Sequence, residues 1–179
     1  MTRGFEIVKS GFRKTDAEII LPIRATAHSA GHDFYSPVEI LLSPGKPTMI
    51  WTDVKAYMPE DEVLLLHVRS SMGKVPVILA NGTGIIDADY YGNPGNDGNI
   101  GIMLLNLSNH LHQINIGDRI AQGIFVRYFA ADGDASGERI GGFGSTDIRI
   151  NQKDKLTEVA LENEAVFQSV SRGVSAAKQ

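Results

Sequence analysis

The chain contains no cysteine, so neither disulfide bonds nor metal sites built on thiolates can hold it together. Long apolar runs are also missing. Nothing approaches the roughly 18 uninterrupted apolar residues of a membrane helix, and the N-terminal MTRGFEIVKS has no apolar run of a signal peptide. Basic residues are few, with 17 Lys and Arg against 21 Asp and Glu and a net charge of −4. This balance argues against sequence-independent binding to nucleic acid, and we expect a soluble cytoplasmic protein.

The sequence does contain a series of short apolar segments separated by Gly, Pro, Asn and Asp. Val63–Arg69 begins as a continuous apolar run, which is typical of a strand covered on both faces. Thr48–Met58 alternates instead, with apolar residues on one face and Asp53 and Lys55 on the other. VPVIL, IGIMLL and RIAQGIFVRYF resemble these two segments, and neither a βαβ rhythm nor an internal repeat is visible. We therefore predict an all-β barrel or sandwich.

Helical periodicity is confined to the end of the chain. In Asn151–Ser171, apolar residues fall on one stripe that Asn163 interrupts, which predicts an amphipathic helix followed by a frayed end. A disordered tail is the alternative. The predicted division is a β domain over residues 1–146 and a C-terminal extension over 147–179.

Two polar clusters stand at the ends of predicted strands in the first half of the chain. In SAGHDFYS, Asp33 follows a glycine, and a turn carboxylate that accepts local N–H bonds is the simplest interpretation. In HVRSSMG, Arg69 ends an apolar strand and is followed by Ser70 and Ser71. An arginine beside two hydroxyls suits a phosphate, although a structural ion pair explains it equally well.

The third cluster, NGTGIIDADYYGN, is the most specific of the series. Its two glycines predict tight bends or a close approach of the backbone to a ligand. Asp87 and Asp89 are predicted to share one face of a strand, with Tyr90 on the other. A carboxylate at a strand end could hold and activate a water molecule, and a turn carboxylate is the alternative.

Two further clusters follow the third. In GDRIAQGIF, Gln122 interrupts an apolar strand, and a buried amide needs backbone, water or ligand as its partner. In GGFGST, Phe143 lies among glycines that spoil both helix and strand. This composition predicts a flexible loop whose ring covers a flat ligand, while neighbouring N–H groups and hydroxyls bind an anion.

Taken in order, AGHDF, RSSMG, GTGIIDADYYG, RIAQGIF and GGFGST resemble the five motifs of the trimeric deoxyuridine triphosphatase (dUTPase) family. The resemblance spans roughly residues 27–146. It implies a distorted jelly-roll barrel, a homotrimer with sites shared between subunits, and hydrolysis of dUTP to dUMP and pyrophosphate by attack of water on the α-phosphate. The reaction removes dUTP and supplies dUMP for thymidylate synthesis. No nucleic acid or membrane partner is implied.

The resemblance also assigns roles to single residues. Asp87 matches the carboxylate that deprotonates the attacking water, and Tyr90 matches the ring beneath the deoxyribose, where a 2′-hydroxyl would clash. The uracil edge is matched to the hairpin that begins at Asn81. The other implied substrate contacts are Arg69, Ser70, Ser71, Gly84, Ile86, Gln122, Arg139, Phe143, Gly144, Ser145 and Thr146. Mg²⁺ is implied as cofactor, bound mainly by substrate phosphates and waters, with Asp33 and Gln122 as outer contacts.

Two features depart from the family pattern. Arg139 in ERIGGF stands one residue nearer Phe143 than the usual arginine of the fifth motif. NPGNDGN, Asn93–Asn99, looks like an insertion after the third motif. The rival function is deamination of dCTP in the sister family, but that family has a catalytic Glu on the strand after the third motif, and IGIMLLN has no carboxylate. A protein-binding regulatory role added to a dUTPase fold is the other alternative.

Overall fold

The computed structural model describes residues 2–133. Within this range the chain forms β-strands and three short 3-10 turns but no α-helix, which confirms the all-β prediction. The strands are β1 (Gly4–Ile7), β2 (Ile23–Arg24), β3 (His32–Tyr35), β4 (Ile40–Leu42), β5 (Thr48–Trp51), β6 (Val54–Tyr57), β7 (Glu62–His67), β8 (Val77–Leu79), β9 (Gly84–Asp87), β10 (Gly101–Asn106), β11 (His112–Ile114) and β12 (Arg119–Arg127). The predicted helix at 151–171 and the domain boundary after residue 146 lie outside the described residues.

The largest sheet has five antiparallel strands in the order β2-β3-β12-β7-β9. Its strand β7 was predicted from an apolar run, and Val63, Leu64 and Leu66 are indeed buried. Strand β12 pairs with β3 along its first half and with β7 along its second half, with a register shift between Arg119 and Ala121. This strand therefore ties the two halves of the sheet together.

Three smaller antiparallel sheets complete the fold, with strand orders β5-β10-β8, β1-β6 and β11-β4. Their inward side chains join those of the large sheet in one apolar core. Its fully buried members include Phe34, Leu42, Ile50, Leu64, Ile102, Leu104, Ile114 and Ile120. No helix among residues 2–133 has the length and apolar character needed to cross a membrane.

The alternating segment Thr48–Met58 differs from its prediction as a single strand. It forms two strands, because Asp53 adopts a positive φ of 55° between β5 and β6. The Asp53 carboxylate accepts hydrogen bonds from the backbone N–H groups of Lys14 and Thr15, and these contacts hold the aspartate in a conformation that Asp tolerates better than most residues. Asp53 and Lys55, expected on the face away from the apolar residues, are both buried.

Candidate active site

Asp33 and Arg69 form an ion pair at one end of the large sheet. Asp33 on β3 is 4% exposed, and its Oδ1 lies 2.9 Å from Nε of Arg69, two residues beyond the end of β7. A second guanidinium, from Arg119, places Nη1 3.6 Å from Oδ2 of Asp33. The carboxylate therefore holds two arginines, one of them half-buried and one exposed, at the edge of the barrel.

Gln122 belongs to the same end of the sheet. In the strand register it stands opposite Asp33 on one side and His67 on the other. Its side-chain amide donates to the carbonyl of Val68 at 3.3 Å, which supplies the partner that a polar residue in an apolar strand requires. Gly31 makes room for this side chain, because a Cβ at Gly31 would lie 2.5 Å from Oε1 of Gln122.

The two serines after Arg69 are exposed beside the ion pair. The chain turns there, with the N–H of Met72 donating to the carbonyl of Arg69 at 2.9 Å. The Met72 side chain enters the core and anchors the turn, so Ser70 and Ser71 face outward. A guanidinium flanked by two exposed hydroxyls is an arrangement that binds phosphate oxygens.

Asn81 lies at the tip of the connection between β8 and β9, and it is exposed. The turn is closed by a hydrogen bond from the N–H of Gly82, whose φ is +73°, to the carbonyl of Leu79. At Gly84 a Cβ would lie 3.0 Å from Cβ of Leu66, so this glycine accommodates the neighbouring strand; the predicted approach of the backbone to a ligand stays a prediction. Ile86 is buried, with 6% exposure.

Asp87 ends strand β9, where its partner on β7 is Val63. Ala88–Tyr90 then forms a 3-10 turn rather than the predicted strand continuation. Asp87 and Asp89 therefore do not share one face of a strand as predicted, although both line one open cleft, while Tyr90 is buried in the core. The cleft has a volume of about 530 Å³ and is lined by Met58, Glu60, Asp87, Ala88, Asp89 and Tyr128.

The phenol ring of Tyr90 is 5% exposed. Its hydroxyl donates to the backbone carbonyl of Asn99 at 2.9 Å and accepts a hydrogen bond from Nδ2 of Asn96. Both partners belong to Asn93–Asn99, so this segment contacts the predicted sugar-binding residue directly.

The structure does not bring all predicted site residues of one chain together. Gln122 is registered with His67 at one end of β7, whereas Asp87 is registered with Val63 near the other. Four residue steps along a strand correspond to about 13 Å. Asp33, Arg69, Ser70 and Gln122 thus form one group, and Asp87 belongs to a second.

Arg119 is the site residue that sequence analysis missed. It stands at the start of the quoted RIAQGIF motif, but nothing in the sequence shows that it reaches Asp33 across the sheet. Arg139, Phe143, Gly144, Ser145 and Thr146 lie outside the described residues. Among residues 2–133 no three His, Asp or Glu side chains converge as metal ligands would.

Comparisons with known proteins place these features in a family context. The profile of the dUTPase family matches residues 17–147. A deoxyuridine 5′-triphosphate nucleotidohydrolase from Lactococcus lactis is 41% identical over 148 residues, covering 80% of this chain and 97% of that protein. The corresponding protein of Variola virus is 33% identical over 136 residues, covering 72% of this chain and 86% of its own length.

Solved structures give the same result for the fold. The crystal structure of dUTPase from Streptococcus mutans is 37% identical, with a TM-score of 0.64, and the match covers 73% of this chain and 99% of that one. The dUTPase of phage phi11 of Staphylococcus aureus is 24% identical, with a TM-score of 0.58 and coverage of 77% and 98%, a likeness that supports the fold alone. That protein coordinates a structural Mg(II) ion.

Proposed function

The chain belongs to the dUTPase family, and we propose that it hydrolyses dUTP to dUMP and pyrophosphate, with water attacking the α-phosphate. The observation that carries the proposal is the family match over residues 17–147, which includes all five motifs. The structure supports it by presenting Asp87 in an open cleft and Arg69 beside two exposed hydroxyls. We place the reaction in the cytoplasm.

Asp87 is the general base in this proposal. A neutral water molecule is a poor nucleophile, and a fixed carboxylate within about 3 Å both orients it and accepts its proton. Asp87 suits this role because its strand is held by β7 while its side chain lines the cleft.

Arg69, Ser70, Ser71 and Gln122 bind the phosphate groups. Asp33 restrains the Arg69 guanidinium through a contact of 2.9 Å at Nε. A guanidinium held in this way loses less side-chain freedom when it binds a phosphate. Arg119 contributes through the shared carboxylate, as a positioning residue.

Base and sugar are recognised by the β8–β9 connection, whose two strands belong to different sheets rather than to the expected hairpin, and by the turn after it. The exposed Asn81 and the backbone up to Gly84 and Ile86 pair with the uracil edge, where a cytosine would leave mismatched donors and acceptors. Tyr90 excludes the 2′-hydroxyl of a ribonucleotide through the small part of its surface that remains accessible, since the residue is 5% exposed. Phe143 covers the base, and Arg139, Gly144, Ser145 and Thr146 contact the γ-phosphate as parts of a lid.

Mg²⁺ is the proposed cofactor, and it would bind to the protein as a complex with the triphosphate of dUTP. Asp33 already faces two guanidinium groups, so it is a poor direct ligand, and oxygen atoms of the triphosphate and of water are the donors that Mg²⁺ prefers. Asp33 and Gln122 would therefore hold the ion through water molecules rather than as direct ligands. When bound to the triphosphate, the ion would neutralise part of the negative charge on the phosphate oxygens.

A homotrimer with shared sites is the proposed assembly. The distance between Asp87 and the group around Arg69 and Gln122 supports it. If both Asp87 and the group around Arg69 and Gln122 contact the phosphates of one dUTP molecule, they must lie close together. Within one chain the two are about 13 Å apart along β7. Copies of the chain arranged around a threefold axis can place Asp87 of one beside Arg69 of another.

The testing experiment measures pyrophosphate release from dUTP, dCTP, dTTP and UTP, with and without Mg²⁺, together with ammonia release from dCTP. We expect pyrophosphate from dUTP only, strongly stimulated by Mg²⁺. Ammonia from dCTP without pyrophosphate from dUTP would establish the deaminase alternative instead. That alternative is not favoured, because β10 (Gly101–Asn106) carries no carboxylate.

A further inference from the structure

Asn93–Asn99, here called the 93–99 loop, is the motif that the proposed function leaves without a role. It is not a loop that projects into solvent. Asn93, Asp97 and Asn99 are buried, with 3%, 1% and 0% exposure. The loop is closed by its own backbone bonds, from Asp97 N–H to the carbonyl of Asn93 at 2.7 Å and from Asn99 N–H to the carbonyl of Asn96 at 3.0 Å.

The 93–99 loop is attached to the barrel at two points. The Asp97 carboxylate accepts hydrogen bonds from Nζ of Lys55 at 3.0 Å and from the backbone N–H of Lys9 at 2.8 Å. Asn99 exchanges two hydrogen bonds with Asp53, through the Asp53 backbone N–H at 3.0 Å and its carboxylate at 2.8 Å. Both attachment points are buried, so they exclude water from the contacts.

Electrostatics reinforces the first attachment. Burial alone would raise the pKa of Asp97, but the hydrogen bonds from the Lys9 backbone and Lys55 outweigh it and hold this pKa below its usual range. Burial would likewise lower the pKa of Lys55, and the contact with Asp97 raises it instead. The pair is therefore charged at neutral pH, and the loop is fixed in place.

Between these two points the 93–99 loop encloses Tyr90. Nδ2 of Asn96 donates to the phenol oxygen at 2.5 Å, and the phenol donates to the carbonyl of Asn99 at 2.9 Å. At the other end of the residue, Gly98 packs on the Tyr90 backbone so closely that a Cβ there would lie 2.6 Å from the Tyr90 carbonyl oxygen. The ring is thus held at its hydroxyl and at its main chain.

We propose that the 93–99 loop sets the discrimination between deoxyribose and ribose, with Asn96 as the positioning residue that fixes the Tyr90 ring. The inference rests on the proposed function, in which this ring excludes the 2′-hydroxyl. Exclusion by a clash works only while the excluding group cannot move aside. A ring held at both ends meets this condition, and a ring held only through its own Cβ does not.

Asn96→Asp is the test variant. It is isosteric and keeps the oxygen that accepts from the Gly98 N–H at 3.0 Å, but it cannot donate an N–H to the Tyr90 hydroxyl. We expect the ratio of kcat/KM for UTP to kcat/KM for dUTP to rise by at least about threefold, while kcat for dUTP changes less than this ratio. Asn109→Asp, which makes the same change at an exposed turn, is the matched control and leaves the ratio unchanged.

Repeating the Asn96→Asp substitution in a Tyr90→Phe protein separates two effects. One is the loss of the contact that positions the Tyr90 ring, and the other is a general loosening of the 93–99 loop. If Asn96 acts through the phenol hydroxyl, Asn96→Asp produces no further rise in the ratio once that hydroxyl is absent. An equal rise in both backgrounds, or an unchanged ratio in an active Asn96→Asp protein, would overturn the inference. Should Asn96→Asp not fold, Asn96→Ser removes the same N–H donor without adding charge, and the same outcomes apply. Failure of the wild-type protein to hydrolyse dUTP would reject the proposed function and this inference together.

Discussion

The role of Asp33 was decided by its neighbours rather than by its own motif. From the sequence, a carboxylate after a glycine was expected to accept local N–H bonds or to contact a metal ion through water. In the structure it forms ion pairs with Arg69 and Arg119, so it restrains the guanidinium that we propose binds phosphate. The sequence therefore shows that a carboxylate is present at position 33, but it does not show which side chains that carboxylate contacts.

Asp87→Asn tests the most specific residue assignment. We expect turnover to fall by about 100-fold or more, because the amide cannot accept the proton of the attacking water, while fold and nucleotide binding are kept. Single-turnover hydrolysis of dUTP, with nucleotide affinity measured in parallel, separates the two effects. Asp16→Asn, at an exposed position, is the control. A single-turnover rate close to that of the wild type would remove Asp87 from the role of base.

Strand β12 shows why a strand can require a glycine. A Cβ at Gly123 would lie 2.8 Å from both Cδ1 of Leu64 and Cε2 of Phe34, two side chains that are fully buried. The glycine therefore lets the core pack directly against the strand that links β3 to β7.

Gly123→Ala is expected to destabilise the fold by about 1–3 kcal/mol, the usual cost of overpacking a core. Denaturant unfolding at fixed protein concentration measures the effect. Gly11→Ala is the matched control, since no atom outside its neighbourhood lies within 4 Å of a Cβ placed there. Equal stability of both variants would contradict the packing argument.

The attachment of the 93–99 loop makes stability depend on pH. Because the folded-state pKa of Asp97 lies below its ordinary value of 3.8, its contribution is complete above that value and is lost as pH falls through the folded-state pKa. Lys55 has a raised pKa, so its contribution persists below 10.5 and is lost only as pH rises through the folded-state value.

Asp97→Asn should therefore cost about 3–5 kcal/mol at pH 7, because the buried Lys55 ammonium loses its hydrogen-bonded carboxylate and keeps only the more exposed Glu6 carboxylate at 3.8 Å. The difference from the wild type should narrow as pH falls from 3.8 through the folded-state pKa of Asp97, because the carboxylate charge is then lost in the unfolded and finally in the folded protein. Unfolding midpoints measured from pH 7 down to the acid limit of folding check both points. A constant difference across that range would show that the charge of Asp97 is not the source of the stability.

For the whole molecule, the arrangement of the five motifs matters more than any one of them. The group around Arg69 and Gln122 lies near one end of β7 and Asp87 near the other. A mixture of two inactive variants tests whether one site draws on two chains. Asp87→Asn and Gln122→Ala are mixed in equal amounts, unfolded together and refolded.

If Asp87 and Gln122 of each site come from different subunits, random assembly of the two variants gives roughly a quarter of all sites both wild-type residues, and these sites are active. The doubly substituted chain, refolded alone, is the control and recovers nothing. No recovery of dUTP hydrolysis in the mixture, with trimers confirmed by sedimentation, would mean that each chain supplies both residues of its own site.

The sequence by itself determined the fold class and the chemical types in the site. Strands such as β7 and β12 are visible because a half-buried or fully buried strand needs apolar residues at a fixed period, and that period is a local property. The five ordered motifs identified the family for the same reason, since each is contiguous along the chain. The contacts of the 93–99 loop and the Arg119–Asp33 contact were not predictable in this way.

Only the tertiary structure decided which of those residues meet. Lys55 and Asp97 are 42 residues apart, and Asp33 and Arg119 belong to strands that pair only through the sheet register. The break at Asp53 has the same origin, because the N–H groups that stabilise its positive φ come from Lys14 and Thr15, about 40 positions earlier. Contacts of this kind depend on how the strands are ordered and registered, and that order results from packing the whole core at once.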